Sequence, residues 1–251
     1  MKYAKLILLR HGQSQWNLEN KFTGWTDVRL TQNGKLEAKN AGKLLLHNNF
    51  DAQVVFTSVL ERAIQTAEIC LKSLNKKDSS IIRDWRLNER HYGNLQGLNK
   101  SDTATKYGDE QVFLWRRSYD IPPPKMRSDD KRHPKNDKMY KDIDPKVLPN
   151  GESLKNTLDR VSPLWKNNIL PKLKNGKNVL IVAHGNSLRA IVKMLKKTSN
   201  ENILKLNIPT GVPYLFEFSN EFEIIKDLYL GNKDEILKKS NIAANQSSSK
   251  S

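Results

Sequence analysis

LILLRHGQSQWN, residues 6–17, is the stretch around which the rest of the chain is organised. Leu6, Ile7, Leu8 and Leu9 are consecutive branched aliphatics, and the run stops abruptly at Arg10-His11-Gly12 and a polar turn. A continuous apolar run, unlike an alternating one, predicts a strand covered on both faces. Arg10 and His11 then fall at the carboxyl end of that strand, where open parallel sheets bind ligands. Far downstream, NVLIVAHGNSLR (178–189) repeats the pattern, a buried strand ending in His184-Gly185.

The segments between these two strands supply the layers. Thr31 offers a helix N-cap before a periodic run with Ala38, Ala41, Leu44 and Leu45 on one face, fading near His47. AQVVFTS (52–58) reads as a second buried strand, followed by helical spacing of Leu60, Ala63, Ala67, Cys70, Leu71 and Leu74, and SIIR (80–83) as a short third strand. Strand and helix in alternation predict an α/β fold, a mostly parallel sheet with helices on both faces. A short helix ends in FLWRR (113–117). From Ser118 to Gly151 periodicity vanishes in a Pro-rich, mixed-charge stretch, and a loop this long inside a compact domain predicts an inserted lid, 118–151. Helical spacing resumes with Leu154, Leu158, Val161 and Trp165, where Pro163 predicts a kink or split. A further helix runs from about Ser187 to Lys197. IPTGVPYLFEF and EIIKDLYL predict two edge strands, the prolines keeping the first out of the sheet centre. Residues 1–239 thus form one domain, and 240–251, rich in Asn, Ser, Ala and Gln, predict a disordered tail.

The 251 residues carry a formal charge of +16, from 43 basic and 27 acidic side chains. That balance favours anionic partners such as nucleic acid, an anionic membrane or phosphorylated metabolites, although surface lysine also accumulates without function. The single cysteine, Cys70, excludes an internal disulfide, suits a reducing compartment and falls on an apolar helix stripe as a structural thiol. There is no Cys or His spacing for a metal, no secretory signal and no apolar run long enough for a membrane span. The expectation is a cytoplasmic protein.

His11 and His184 each end a strand that leads into a helix, and the helix N-terminus there is an anion site. A neutral imidazole beside a bound phosphate is a nucleophile for phosphorus, and a second imidazole can stabilise the oxygens as charge moves. Either histidine alone also suits a strand-capping role; the matched pair points to chemistry. Arg10 and Arg62 follow strands, where guanidinium forks suit phosphate. Arg116 and Arg117 precede the lid, and Glu89 with Arg90 lies in a Gly-punctuated loop beside Tyr92; on spacing alone Arg116 and Arg117 read first as solvated arginines and Glu89–Arg90 as a surface salt-bridge pair. Walker loops, dinucleotide glycine fingerprints and clustered Mg²⁺ carboxylates are absent from the sequence, so phosphoryl transfer would use imidazole and arginine.

RHGQSQWN, FTGWTD (22–27), ERAIQTA (61–67), NERHYGNLQGLNK (88–100), WRRSYDIPPP (115–124), GESL (151–154), AHGNSLR (183–189) and IPTGVP (208–213), in that order, resemble the cofactor-dependent phosphoglycerate mutases of the histidine phosphatase superfamily. The resemblance runs from about Lys5 to Leu230. It implies that His11 is phosphorylated during turnover, that His184 stabilises the transferring group, and that Glu89 donates and accepts the proton. It further implies that Arg10, Asn17, Arg62, Arg116, Arg117 and Asn186 hold phosphate or phosphohistidine, with Thr23, Gly24, Tyr92, Lys100 and Gly185 at the remaining substrate contacts. The implied reaction is glycolytic, interconverting the three-carbon acids 3-phosphoglycerate and 2-phosphoglycerate, primed by 2,3-bisphosphoglycerate, without metal. A homodimer or homotetramer is implied, with no nucleic acid and no membrane as partner. Gln13 stands where many relatives have Glu, and Ser14 matches the mutase form, where bisphosphoglycerate mutases tend to carry Gly.

Two other functions fit parts of the sequence. A phosphatase on the same scaffold would pass the phosphoryl group to water, which the 118–151 lid argues against. A basic nucleic-acid-binding protein would show dispersed basic patches with stacking aromatics, not paired His-Gly strand ends.

Overall fold

β1, Lys5–Arg10, lies inside a six-stranded sheet, and the computed structural model, which describes residues 4–245, explains its unbroken apolar run. Leu6 and Leu8 point into one core layer while Ile7 and Leu9 point into the other. All four are fully buried, each contributing roughly 1.5–3 kcal/mol by leaving water.

After β1, a one-turn helix α1 (Gln15–Leu18) precedes α2 (Gln32–His47). β2 (Val54–Thr57), α3 (Glu61–Ser73) and β3 (Ile81–Arg83) follow. Helices α4 (Lys100–Tyr107) and α5 (Asp109–Arg117) precede the long irregular segment, and α6 (Leu154–Leu164) and α7 (Leu170–Lys174) follow it. β4 (Val179–Ala183), α8 (Gly185–Lys196), α9 (Asn200–Ile203), β5 (Pro213–Phe218), β6 (Ile224–Tyr229) and α10 (Lys233–Asn245) complete the chain. Strand order is β3-β2-β4-β1-β5-β6, with β3, β2, β4 and β1 parallel and β5 and β6 antiparallel to their neighbours. Helices α2 and α3 cover one face through Ala41, Leu45, Ala67 and Leu71; α6 and α8 cover the other through Val161, Leu164, Leu188 and Ile191. The expected α/β fold with a mostly parallel sheet is the observed one. Among the described residues no helix is long and apolar enough to cross a membrane.

Other expectations need correction. β5 is an inner strand, pairing with β1 and β6, because Pro213 occupies its first position, where a missing N–H costs the ladder least. The short helix expected to end in FLWRR is α5, and Gly108, at φ +88°, separates it from α4, which was not expected. Segment 118–151 lacks long elements but is not featureless. It makes three single 3₁₀ turns, at Pro134–Asn136, Lys138–Tyr140 and Pro145–Val147, capped by the side chains of His133, Asp137 and Asp144. His133 is buried by this packing. Helix α10 continues through Asn245 into the expected tail, held by Lys239 Nζ 2.9 Å from Glu37 Oε1; residues 246–251 lie outside the described range. The split expected at Pro163 falls a turn later, as a π turn over Trp165–Ile169 between α6 and α7.

Candidate active site

The parallel pairing of β1 with β4 sets Arg10 opposite Ala183, so His11 and His184 leave adjacent strand ends side by side. Their ring centroids are 4.9 Å apart. His184 leads straight into α8, as expected; His11 is followed by a turn, and Ser14 then caps the single turn of α1. Gly12 permits this turn because a Cβ there would lie 2.1 Å from the Gly34 carbonyl oxygen of α2.

His11 Nδ1 is 2.7 Å from the Gly12 carbonyl oxygen. A carbonyl only accepts, so Nδ1 carries the proton and Nε2 keeps its lone pair. Burial, then the positive charges of Arg62 and Arg10, hold the pKa of His11 well below its ordinary 6.5. The ring is therefore neutral at neutral pH. His184 is likewise fully buried and held well below its ordinary value, first by burial and then by Arg62. Its Nε2 lies 2.7 Å from Ser58 Oγ at the end of β2.

Of the candidate residues, all except His184 line a single cavity at the carboxyl ends of the strands. Arg10 donates to the Ile208 carbonyl (2.9 Å), and Arg62 to those of Thr26 (3.0 Å) and Gly24 (2.8 Å). Gly24, at φ +53°, turns its carbonyl toward Arg62, and a Cβ there would collide with the Gln96 side chain. The Nε atoms of Arg10 and Arg62 are buried with no protein acceptor. Arg62 is lowered to about 10 by burial, Arg116 to about 9 and Arg117 to about 10, each by burial first. Lys100 is pushed well below its ordinary value by burial and then by Arg116, Arg10 and Arg117. Among the described residues, these cations crowd a space in which Glu89 is the one lining carboxylate. An electrostatic field of this kind is relieved by a multiply charged anion.

Glu89 Oε1 accepts from the backbone N–H of Arg90 (2.8 Å) and of Asn186 (3.0 Å) in the first turn of α8. With Oε1 committed to two donors, Oε2 is the oxygen available for proton exchange. Asn17 and Asn186 have their amides oriented. Ser14 N–H and Oγ donate to Asn17 Oδ1, and Arg189 donates to Asn186 Oδ1 at 2.8 Å, which turns both NH₂ groups away from those contacts. Thus Ser14 acts on the site through Asn17. Tyr92, whose OH accepts from Asn186 Nδ2 at 3.3 Å, is backed by the Arg90 guanidinium, 4.9 Å from its ring. Arg90 is therefore a buried support, not a solvated partner of Glu89.

Lys21, Arg189, Asn207 and Ile208 also line the cavity and were not singled out by sequence. Arg189, inside AHGNSLR, and Ile208, the first residue of IPTGVP, lie in quoted motifs; Lys21 and Asn207 carry no signal beyond their neighbours. Cys70 is buried in α3 and its thiol is pushed up to about 12, an inert position. Among the described residues no group of His, Cys, Asp and Glu side chains is arranged to hold a metal.

A neutral histidine at a strand end, a second histidine against it and a surrounding ring of arginines make a cation-lined pocket suited to a phosphoryl group. The chain belongs to the histidine phosphatase superfamily, branch 1, whose family model matches residues 6–229. The 2,3-bisphosphoglycerate-dependent phosphoglycerate mutases of two Bacteroides fragilis strains are 52% identical to it over 246 residues, covering 98% of this chain and 99% of theirs. Among solved structures, a protein titled mycobacterial hydrolase 1 shares the fold at a TM-score of 0.69 and 20% identity, covering 91% of this chain and 99% of that one. A mycobacterial glucosyl-3-phosphoglycerate phosphatase does so at 0.68 and 22%, covering 90% and 97%.

Proposed function

We propose that this chain is a 2,3-bisphosphoglycerate-dependent phosphoglycerate mutase, interconverting 3-phosphoglycerate and 2-phosphoglycerate through a phosphohistidine at His11. The observation that carries the proposal is the fixed tautomer of His11, whose unprotonated Nε2 belongs to a buried neutral ring in a cation-lined cavity shared with Glu89.

The guanidinium-rich donor set fits a bisphosphorylated acid. Arg10, Arg62, Lys100, Arg116 and Arg117 would hold it, and it supplies the phosphoryl group that charges His11. His11 Nε2 accepts the phosphoryl group and returns it to a substrate hydroxyl. His184, in ring contact with His11, stabilises the phosphoryl oxygens, where a preorganised donor is worth most. Glu89 Oε2 takes the proton from the accepting hydroxyl and gives one to the departing oxygen. Asn17 and Asn186 offer their oriented amides, and Thr23, Gly24, Tyr92 and Gly185 shape the walls. The proposed assembly is a homodimer or homotetramer in the cytoplasm, and light scattering of the purified chain tests the oligomer.

The activity is tested by incubation with 3-phosphoglycerate in EDTA, with and without 2,3-bisphosphoglycerate. Formation of 2-phosphoglycerate, stimulated by the bisphosphate, is the expected outcome. Release of inorganic phosphate alone would replace the mutase with a phosphatase.

A further inference from the structure

Behind Glu89 lies a buried ion pair whose two residues do not themselves line the cavity. Arg160, on α6, meets Glu152 with Nε 2.6 Å from Oε1 and NH2 3.0 Å from Oε2. The two side chains are 9% and 3% exposed. Arg160 NH1 donates to the Arg86 carbonyl at 2.6 Å, and NH2, shared with Glu152, also lies 3.0 Å from the Asn88 carbonyl and 2.9 Å from that of Glu89, three carbonyls of one loop. Glu152 grips the other side, its Oε2 accepting from His91 N–H at 2.8 Å and its own N–H donating to the His91 carbonyl at 2.8 Å. Residues 88–92 belong to no helix or strand. Glu89 therefore lacks the ladder of backbone bonds that would otherwise fix its direction, and the pair supplies bonds on both sides of it.

We infer, resting on the assignment of Glu89 as acid and base above, that Arg160 and Glu152 are positioning residues for proton transfer by Glu89. Trp25 is a further support, its indole N–H donating to the Glu89 carbonyl at 2.6 Å beneath the Arg160 guanidinium. Only a planar fork with several donors can bridge one carboxylate and three carbonyls, so lysine cannot replace Arg160. An acid displaced by about 1 Å loses orders of magnitude in rate while the rest of the site stays intact.

The nature of the leaving group provides the test. When His11 Nε2 forms its bond to phosphorus on a bisphosphoglycerate, the breaking P–O bond releases an alkoxide oxygen that needs the proton of Glu89. With p-nitrophenyl phosphate the same P–N bond forms, but the electron pair leaves on nitrophenolate, a stable anion that needs no proton. Each variant is measured on one preparation for mutase rate and for the single-turnover burst of nitrophenolate. Arg160→Lys and Glu152→Gln should lower the mutase-to-burst ratio at least about 10-fold, and Glu89→Gln about 100-fold or more. Partial unfolding scales both rates equally and leaves the ratio at its parent value. A parent-like ratio in Arg160→Lys and Glu152→Gln, with a depressed one in Glu89→Gln, overturns the positioning role. A parent-like ratio in Glu89→Gln overturns the assignment of Glu89 itself.

Discussion

Replacing Arg62 with methionine separates what this guanidinium costs the fold from what it does for the reaction. Arg62 is 1% exposed, and burial brings it from its ordinary 12.5 to about 10. That displacement of a base disfavours its charged form in the folded state by about 3 kcal/mol. The cost is fully present at neutral pH and disappears only as pH rises past the ordinary value. Methionine removes it, but leaves the Gly24 and Thr26 carbonyls without their donors, at about 1–3 kcal/mol each. The effects offset, so unfolding free energy should stay within about 3 kcal/mol of the parent.

Catalysis has no such compensation. Loss of a charged phosphate contact, about 1.5–3 kcal/mol, lowers kcat/KM roughly 10- to 100-fold. Arg62 is also, after burial, the largest cause holding His11 below its ordinary pKa. Activity needs neutral His11 and falls as pH drops through its pKa. Removing the cation raises that pKa, so the acid limb of the kcat/KM profile should move to higher pH. The assay is 2-phosphoglycerate formation across a pH series, with denaturant unfolding on the same sample. Parent-like kcat/KM together with an unmoved acid limb would refute the placement of Arg62 beside the phosphoryl group.

Three other outcomes are expected. Ser58→Ala removes the hydroxyl 2.7 Å from His184 Nε2 and should lower kcat about 10-fold with little change in KM; steady-state kinetics checks it, and an unchanged kcat contradicts it. Leu180→Ala empties a fully buried position on β4 and should cost about 2–5 kcal/mol by urea unfolding; a cost near zero would mean that β4 is not a central strand. Bound 2,3-bisphosphoglycerate at about 100 times its Kd should stabilise the fold by about 2.7 kcal/mol, seen as a higher Tm that declines with added salt; no shift would mean that the crowded cations hold no anion.

The two buried strands were legible because their unbroken aliphatic runs match a sheet covered on both faces, and their ends located His11 and His184. The supporting side chains were harder to read. Glu89, Arg116 and Arg117 sit in loops or at a helix end whose local pattern equals that of solvated charge; their convergence is a product of tertiary packing, and only the ordered series of motifs brought them forward. Arg160 and Glu152 illustrate the limit more sharply. Arg160 is an ordinary helical charge in sequence, Glu152 is one letter of the GESL motif with no role read from it, and their joint hold on the Arg86–His91 backbone depends on contacts 61 to 74 residues apart. Strand β5 was misjudged because Pro213 marks a strand start as readily as an edge. Helix α10 was missed because its apolar face is meagre and its anchor, Lys239 on Glu37, spans 202 residues.

The central claim is that His11 Nε2 carries the phosphoryl group. Charging the purified chain with radiolabelled 2,3-bisphosphoglycerate, quenching in alkali and mapping the labelled peptide measures this directly. The label should be acid-labile, lie on His11, pass to 3-phosphoglycerate on a chase, and be absent from His11→Ala. A label on His184, or one that survives in His11→Ala, would contradict the claim.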